Sequence, residues 1–229
     1  MLKENIMSEY HLSRNDPPLK SDEGSGPWCS MGHFTDKLYY YEHYLKRAVD
    51  GNLFLKYRYP YAQQHLMHYF NNTGEDLHVD LSDIMQKSSS LRDEYQKELN
   101  QAIMFCRTLP PGEHYFASKK VNYGDFISNN ADLFYAIGGY QYWGKGYVVI
   151  KEIYHSSDKT RETRCRYNLK FKFNFFDRYN WNVTKPDAGV RLGGYIPVTD
   201  SFMGQFHQGC LAREYNIRGV IEKEVSWDD

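Results

Sequence analysis

The sequence has no apolar stretch near the roughly 18 residues that a membrane-spanning helix needs. It has almost no net charge, with 28 lysine and arginine residues against 29 aspartate and glutamate residues. That balance disfavours a nucleic-acid binder that works by bulk attraction to phosphate. Residues 1–26 are polar and lack the apolar centre of a secretory signal. We therefore expect a protein that is made in the cytoplasm without a signal peptide.

Cysteine is also scarce. Cys29, Cys106, Cys165 and Cys210 lie far apart and form no CxxC pair. The favoured interpretation is that all four are reduced thiols packed as small apolar side chains. One disulfide is the alternative for a protein that acts outside the cytosol.

Sequence motifs of common catalytic and cofactor sites are missing. The chain contains no HExxH, no phosphate-binding GxxxxGKS loop and no GxSxG turn. We expect no metal and no cofactor. A divalent metal is an alternative, although His65, His68 and Glu75, or His78 and Asp80, lack a recognised ligand spacing.

Aromatic residues are abundant, with 21 tyrosines, 13 phenylalanines and 4 tryptophans among 229 residues. Such rings bury large areas and are favoured in strands. This composition predicts a substantial β component and a tyrosine-rich surface or cleft.

Three segments differ in pattern. Residues 1–27 are rich in turn formers and predict a flexible leader. Residues 28–112 show helical spacing of apolar residues, with one or two short turns predicted over 80–87 and helices predicted over 36–50, 61–71 and 90–106. In the last of these, Ser90 and Asp93 resemble a capping box. Residues 113–229 predict an antiparallel sheet and a C-terminal helix, and 28–229 are expected to form one compact unit.

The strand pattern is clearest in residues 164–175, where apolar and polar side chains alternate strictly. This period predicts one buried face and one solvent-exposed cationic face. Glycines within the aromatic run 133–146 suggest a bulge or sharp bend, and residues 155–163 suggest a hairpin turn. A helix is predicted from Thr199 or Asp200 to about Tyr215. The fold class is therefore α+β, with N-terminal helices packed on a curved, half-barrel-like antiparallel sheet and a closing C-terminal helix.

The first candidate site is the polar aromatic segment that ends the predicted strand. Its residues Asp177, Arg178, Tyr179, Asn180 and Trp181 follow a buried run directly. A strand fixes such side chains while the corner exposes them, which suits a catalytic carboxylate. Asp and Asn in turns, with Tyr and Trp covering a core, are the structural alternative.

The second candidate site is the C-terminal helix. Asp200 stands at its start, where the helix dipole favours a negative charge. His207 falls on the apolar side, so partial burial brings its proton affinity towards working pH. A hydrogen-bonded core histidine is the alternative. Arg213 is a candidate for binding an anionic group, and Cys210 close to His207 is a weaker candidate nucleophile.

Four segments resemble a family of poorly characterised bacterial toxin domains. They are HYFNNTGEDLHVDL (68–81), FYAIGGYQYWGKG (134–146), FFDRYNWN (175–182) and VTDSFMGQFHQGCLAREYNIRG (198–219). Such domains lie at the C-terminal end of polymorphic and type VI secretion effectors, after Rhs, PAAR or VgrG-type delivery modules. The resemblance implies an antibacterial toxin with a cognate immunity protein and a delivery module as partners.

A fainter similarity is to the colicin M group, which hydrolyses the lipid-linked peptidoglycan precursor from the periplasmic side. That group has an Asp-x-Tyr-Asp motif followed by His-Arg. Asp177 and Tyr179 match the first part of the motif, whereas Asn180 replaces the second Asp. No His-Arg pair follows at the family's spacing, and His207-Gln208 lies further along the chain.

Together these observations predict an envelope-directed hydrolase that acts in the periplasm of the target cell, with no nucleic-acid partner. Asp177, His207 and Asp200 are the predicted catalytic residues. Substrate binding is assigned to Arg178, Tyr179, Asn180, Trp181 and Arg213, with Arg191 as a further phosphate ligand.

One alternative is a non-enzymatic membrane-disrupting toxin, because the aromatic residues of 133–154 suit a lipid interface and leave peripheral membrane contact open. Another is a binding or immunity module.

Overall fold

Seven helices and nine strands form the described part of the chain. The structure is a computed structural model that describes residues 9–21, 23–126, 130–157, 160–184, 190–192 and 196–229. Within these ranges, the side chains of 123–125, 154–163, 190–192 and 196–197 are not described. The helices are α1 (Asp36–Asp50), α2 (Leu53–Arg58), α3 (Pro60–Phe70), α4 (Leu81–Lys87), α5 (Ser89–Cys106), α6 (Ala131–Ala136) and α7 (Asp200–Gln208).

Most strands belong to one largely antiparallel sheet. The strands are β1 (Tyr10–Leu12), β2 (Leu77–His78), β3 (Gly112–Ser118), β4 (Val121–Asp125), β5 (Gly139–Ser157), β6 (Thr160–Tyr179), β7 (Val190–Leu192), β8 (Ile196–Val198) and β9 (Tyr215–Asp228). The order across the main sheet is β1-β3-β5-β6-β9-β2, and β4 pairs with β5 beside β3. Only β2 and β9 pair in parallel, and β7 and β8 form a separate pair. The α+β class with helices packed on the sheet is confirmed.

Strand β6 lies between β5 and β9 and carries the predicted alternation. Phe171, Phe173 and Phe175 are buried on one face, where helix α5 packs its ring of Tyr95 against Phe173. The opposite face is exposed and cationic, as predicted. There the cations are paired across the sheet with acidic residues of β9, as in the contact between Lys172 and Glu222. This face is therefore neutralised by cross-strand partners rather than left as a basic surface.

The predicted helices agree closely with α1, α3 and α5, and the segment predicted as short turns forms helix α4. Helix α1 begins after Thr35, whose side chain accepts a hydrogen bond from the Leu38 N–H, and ends before Gly51. Helix α5 buries its predicted apolar stripe, but the cap is Ser88 rather than Ser90. The hydroxyl of Ser88 accepts from the Leu91 N–H, two residues earlier than the predicted capping box.

The C-terminal region differs from the prediction. Helix α7 ends at Gln208 instead of continuing to Tyr215, and the chain then forms β9 beside β6. Gly209 and Cys210 end the helix, with Cys210 in the left-handed region at φ 65°. The closing element is thus a strand that pairs with β6, and its alternate residues such as Tyr215 and Ile217 are buried.

The glycines of β5 have a packing role, and the predicted irregularity occurs only in the pairing with β4, whose register shifts opposite Tyr140 and Gly139. The register between β5 and β6 runs without a break from Gln141 to Ser157, and the predicted hairpin joins the two strands. A Cβ atom at Gly144 would collide with the hydroxyl of Tyr10, and one at Gly146 would collide with the ring of Phe116. Glycine is needed here because neighbouring aromatic side chains cross the strand closely. Residues 133–136, predicted as strand, belong to helix α6.

The expected leader over residues 1–27 is ordered in its described part. Residues 10–12 add strand β1 to the edge of β3, and the hydroxyl of Tyr10 donates a 2.6 Å hydrogen bond to the carboxylate of Glu98. Further along, the Ser25 side chain is almost fully buried. Tertiary contacts order a segment that its composition alone would leave flexible.

Within the described ranges, no helix combines the length and apolar character that crossing a bilayer requires. Nor do the described residues contain a cluster of three or more His, Cys, Asp and Glu side chains that could hold a metal ion.

A buried histidine makes stability depend on pH. His65 of α3 is fully buried beside the rings of Tyr179 and Tyr215, and this burial lowers its pKa from 6.5 to about 4. The unfolded chain then binds a proton at a higher pH than the folded chain, so this stabilisation is complete above pH 6.5 and is lost as the pH falls towards 4. The lowered pKa corresponds to about 3 kcal/mol.

We expect His65→Leu to remove this part of the pH dependence. Urea unfolding at pH 7 and at pH 4 gives the free energy of unfolding at each pH. Between these two pH values, the free energy of unfolding should fall by about 3 kcal/mol less in the variant than in the wild type. Burial raises the pKa of Glu98 to about 7, so Glu98 changes the stability with pH in the opposite direction. Its contribution is the same in both proteins and therefore cancels when they are compared. Equal pH slopes in the two proteins would contradict the assignment.

Candidate functional site

A cavity of about 300 Å³ lies where the end of β6, the segment after α7 and the N-terminal segment meet. Three predicted residues line it together: Arg178 from β6, His207 from α7 and Arg213 from the connection to β9. We call it the arginine cavity. Its full lining is Gly26, Pro27, Trp28, Gly74, Arg178, His207, Arg213, Glu214, Tyr215 and Asn216.

Glu214 is the polar centre of this cavity and was not predicted. Its side chain is fully buried, and its Oε1 accepts the backbone N–H groups of Ser25 at 2.9 Å and Trp181 at 3.1 Å. The Nη2 of Arg178 donates to Oε2 at 3.3 Å. Gly24 makes this possible, because it adopts φ +57° and a Cβ there would collide with the carboxylate. One carboxylate thus joins three segments that are distant in sequence.

His207 is held as a neutral ring by two backbone groups. Its Nδ1 accepts the N–H of Glu214 at 3.1 Å, and its Nε2 donates to the carbonyl of Gly26 at 3.0 Å. An N–H group can only donate and a carbonyl can only accept, so this pattern assigns the proton to Nε2 and leaves Nδ1 bare. Burial lowers the pKa of His207 against the opposing attraction of Glu214. The ring therefore matches the hydrogen-bonded core alternative, because neither nitrogen is available to take a substrate proton.

The two arginines differ in how firmly they are held. Arg178 contacts Glu214, and its Nε is buried without a hydrogen-bond partner among the residues that the structure describes. The guanidinium of Arg213 stacks over the indole of Trp28, 4.6 Å from the ring centroid, and Nη1 donates to the Thr73 carbonyl at 3.4 Å. Both groups retain donors for an incoming anion, and guanidinium donors match the oxygens of a phosphate.

A disulfide closes the wall formed by Gly26, Pro27 and Trp28. Cys29 is bonded to Cys210, so the favoured expectation of four reduced thiols is wrong for this pair. The expectation holds for Cys106 and Cys165, which are free. The Cys29 N–H also donates to the His207 carbonyl at 3.1 Å. Because Cys210 is consumed in the disulfide, it does not serve as the nucleophile that the sequence suggested.

Asp177 does not line the arginine cavity. It precedes Arg178 in β6, and successive side chains of a strand point to opposite faces. Asp177 therefore shares its face with the buried rings of Phe175 and Tyr179, while Arg178 faces the cavity with His207. The structure does not bring the predicted carboxylate and imidazole together.

Other predicted site residues have structural contacts. Tyr179 is buried, its ring stacks on Tyr215 at 5.1 Å, and burial raises its pKa. The carboxylate of Asp200 accepts the Asn182 N–H at 3.0 Å and so ties the loop after β6 to the start of α7. Trp181 contributes its backbone N–H to the Glu214 carboxylate.

The remaining predicted site residues are Asn180 and Arg191. Asn180 is half-buried just after β6 and does not line the cavity. The side chain of Arg191 lies outside the part of the structure that is described.

No protein-family model and no curated protein sequence matches the chain. Among solved structures, it is similar to the bacteriocin PaeM of Pseudomonas aeruginosa, described as colicin M-like, with a TM-score of 0.35 and 12% identity. This match covers 73% of the present chain and 51% of PaeM. Truncated syringacin M of Pseudomonas syringae pv. tomato gives a TM-score of 0.33 and 10% identity over 74% of this chain and 59% of that one.

The untruncated syringacin M gives a TM-score of 0.31 at 12% identity, covering 73% of this chain and 51% of that one. The present chain therefore spans 51% to 59% of the length of these proteins. The chain has a partial structural likeness to colicin M-like bacteriocins.

Proposed function

We propose that this chain is an antibacterial toxin domain that acts on the envelope of a rival bacterium and hydrolyses a phosphate-bearing substrate bound in the arginine cavity. The observation that carries the proposal is the convergence of Arg178 and Arg213 on one cavity beside the indole of Trp28. The toxin class is supported by the four sequence segments that resemble bacterial toxin domains. A cognate immunity protein and a secretion-system delivery module are the partners that this class implies.

The disulfide supports action outside the cytosol. Disulfides persist in oxidising compartments such as the periplasm and are rare in the cytosol, where thiols are kept reduced. Cys29–Cys210 fixes the segment that forms one wall of the cavity. A protein whose binding site depends on this bond is suited to an oxidising site of action.

The residues divide between binding and positioning. Arg178 and Arg213 bind the phosphate, and Trp28 holds the guanidinium of Arg213 in place. Glu214 and His207 position the cavity walls, since their polar atoms are engaged with backbone groups. Asp200 is likewise a positioning residue. Asp177 takes no part in this binding, because it lies on the face of β6 opposite to Arg178 and does not line the cavity.

A binding module without chemistry is the second candidate. It is favoured by the placement of Asp177 on the face of β6 opposite to Arg178. Release of phosphate from a labelled envelope lipid extract separates the two functions. Hydrolysis predicts release by the purified wild type, whereas a binding module binds through both arginines and releases none.

The membrane-disrupting alternative loses its structural support. It depended on the aromatic residues of 133–154, but Tyr140, Tyr142 and Trp143 are buried within the protein. They are therefore not presented to a lipid interface.

Expression with and without a periplasmic signal tests the site of action. We expect growth arrest only when the chain is exported. A bacterial strain with an oxidising cytosol is the control, since the disulfide can form there without export. Toxicity in that cytosol, or no toxicity after export, would contradict envelope action.

A further inference from the structure

An exposed aromatic surface lies on α1 and α2, away from the residues of the arginine cavity. Leu53, Phe54 and Tyr57 of α2 are 66%, 65% and 80% exposed, and Tyr40 and Tyr44 of α1 are 66% and 49% exposed. We call these five residues the aromatic surface. Isolated exposed apolar side chains are common, but five large ones on two successive helices form a patch of the kind that marks an interaction site.

The geometry of the helices places these side chains together. Tyr40, Tyr44 and Arg47 follow helical spacing on the side of α1 opposite to the buried Leu38 and Leu45. The C-terminal end of α1 and the start of α2 enclose an open groove of about 620 Å³, which Tyr44, Arg47, Leu53 and Phe54 help to line. Helix α2 itself contains no buried residue.

The charges beside this surface are mainly positive. Between residues 47 and 58 the chain carries Arg47, Lys56 and Arg58 against Asp50 alone, although the whole chain has a net charge of −1. Lys56 and Arg58 are exposed next to Tyr57. Exposed aromatic and leucine side chains interleaved with cations are the composition of segments that lie in the headgroup region of an anionic bilayer.

We propose that the aromatic surface docks on an anionic phospholipid bilayer, with Leu53, Phe54 and Tyr57 entering the interface and Lys56 and Arg58 contacting lipid phosphates. A second copy of the chain is the competing occupant. The local excess of cations favours the bilayer, because two copies of the same surface would bring like charges together. This inference concerns a different surface from the proposed function and does not depend on it.

The test uses the purified full chain and vesicles of phosphatidylcholine with or without phosphatidylglycerol. We expect cosedimentation with the phosphatidylglycerol vesicles that weakens as salt is raised. The triple variant Leu53→Ser, Phe54→Ser and Tyr57→Ser should bind at least about tenfold more weakly, since partition scales with inserted apolar area. Its stability should be unchanged because these side chains are exposed.

A matched control replaces exposed apolar residues elsewhere. Met104→Ser with Val220→Ser removes side chains that are 60% and 51% exposed on α5 and β9, and this protein should bind vesicles like the wild type. Absence of wild-type binding, or equal binding by the triple variant, would overturn the proposal. So would a wild-type dimer, measured by light scattering, that the triple variant dissociates without any vesicle binding. Arg213→Gln should still bind vesicles, which keeps this result separate from that of the arginine cavity.

Discussion

Replacing Arg178 and Arg213 together with glutamine is expected to remove the killing activity of the exported protein. Hydrogen bonds to charged groups contribute about 1.5–3 kcal/mol each. The loss of two guanidinium contacts to one anion therefore weakens substrate binding by about a hundredfold or more. The measurement is the surviving fraction of cells after induced export, at matched protein levels.

The controls separate binding from folding. Arg178 contacts the buried Glu214, so its loss also affects stability, and Arg213→Gln alone is the variant that leaves the Glu214 contacts in place. Arg166→Gln removes an arginine with two bonds to Asp228 on the exposed face of the sheet, away from the cavity. We expect Arg166→Gln to kill normally and Arg213→Gln to be impaired. Full killing by a folded double variant would refute the cavity as the binding site.

Replacing Cys29 and Cys210 together with serine is expected to produce the largest loss of stability. The bond links residues 181 positions apart, and closing so long a loop reduces the entropy of the unfolded chain by an amount worth about 5 kcal/mol in the loop-entropy treatment. Engineered and natural examples generally give about 2–4 kcal/mol. Denaturant unfolding with and without a thiol reductant measures the difference.

The functional consequence follows from the same contacts. The segment at residues 24–29 supplies the partners of Glu214 and His207, so its release removes one wall of the arginine cavity. Reductant should lower the stability of the wild type towards that of the double variant and leave the double variant unchanged. Cys165→Ser, which changes a free cysteine, is the control and should respond to reductant like the wild type. A wild-type protein insensitive to reductant would contradict this account.

Elements governed by local periodicity were predictable. Helix α1 has a capping threonine, a buried stripe and a terminal glycine, and all three signals agree on its bounds. Strand β6 has strict alternation because one face meets the helices and the other meets solvent. In such segments the local preference and the tertiary environment favour the same structure.

Elements governed by distant partners were not predictable. Strand β9 was not predicted, and the residues before it were interpreted as the continuation of α7, because the residues after Gly209 carry no strong strand signal until β6 is present beside them. Residues 24–27 were assigned to a leader, because the contacts that order them come from Glu214 and His207, about 180 residues away. Composition contains no information on such partners.

In the candidate site, too, some residues could be chosen from the local sequence, whereas their arrangement depends on contacts between distant segments. Arg178, His207 and Arg213 were chosen separately from two sequence segments, and the fold places them in one cavity. Glu214 was missed because it stood in a predicted helix, although an acidic residue beside Arg213 was a visible signal. The separation of Asp177 from His207 follows from the alternation of strand residues, combined with the unpredicted position of β9.

Binding and hydrolysis of a phosphate-bearing envelope substrate in the arginine cavity can be measured with purified protein. Lipid extracts from bacterial envelopes labelled with radioactive phosphate are incubated with the protein and then partitioned between organic and aqueous phases. We expect the wild type to release label into the aqueous phase, Arg178→Gln with Arg213→Gln to release none above background, and Arg166→Gln to match the wild type. Release by the double variant at the wild-type rate, or no release by the wild type, would contradict hydrolysis in the arginine cavity.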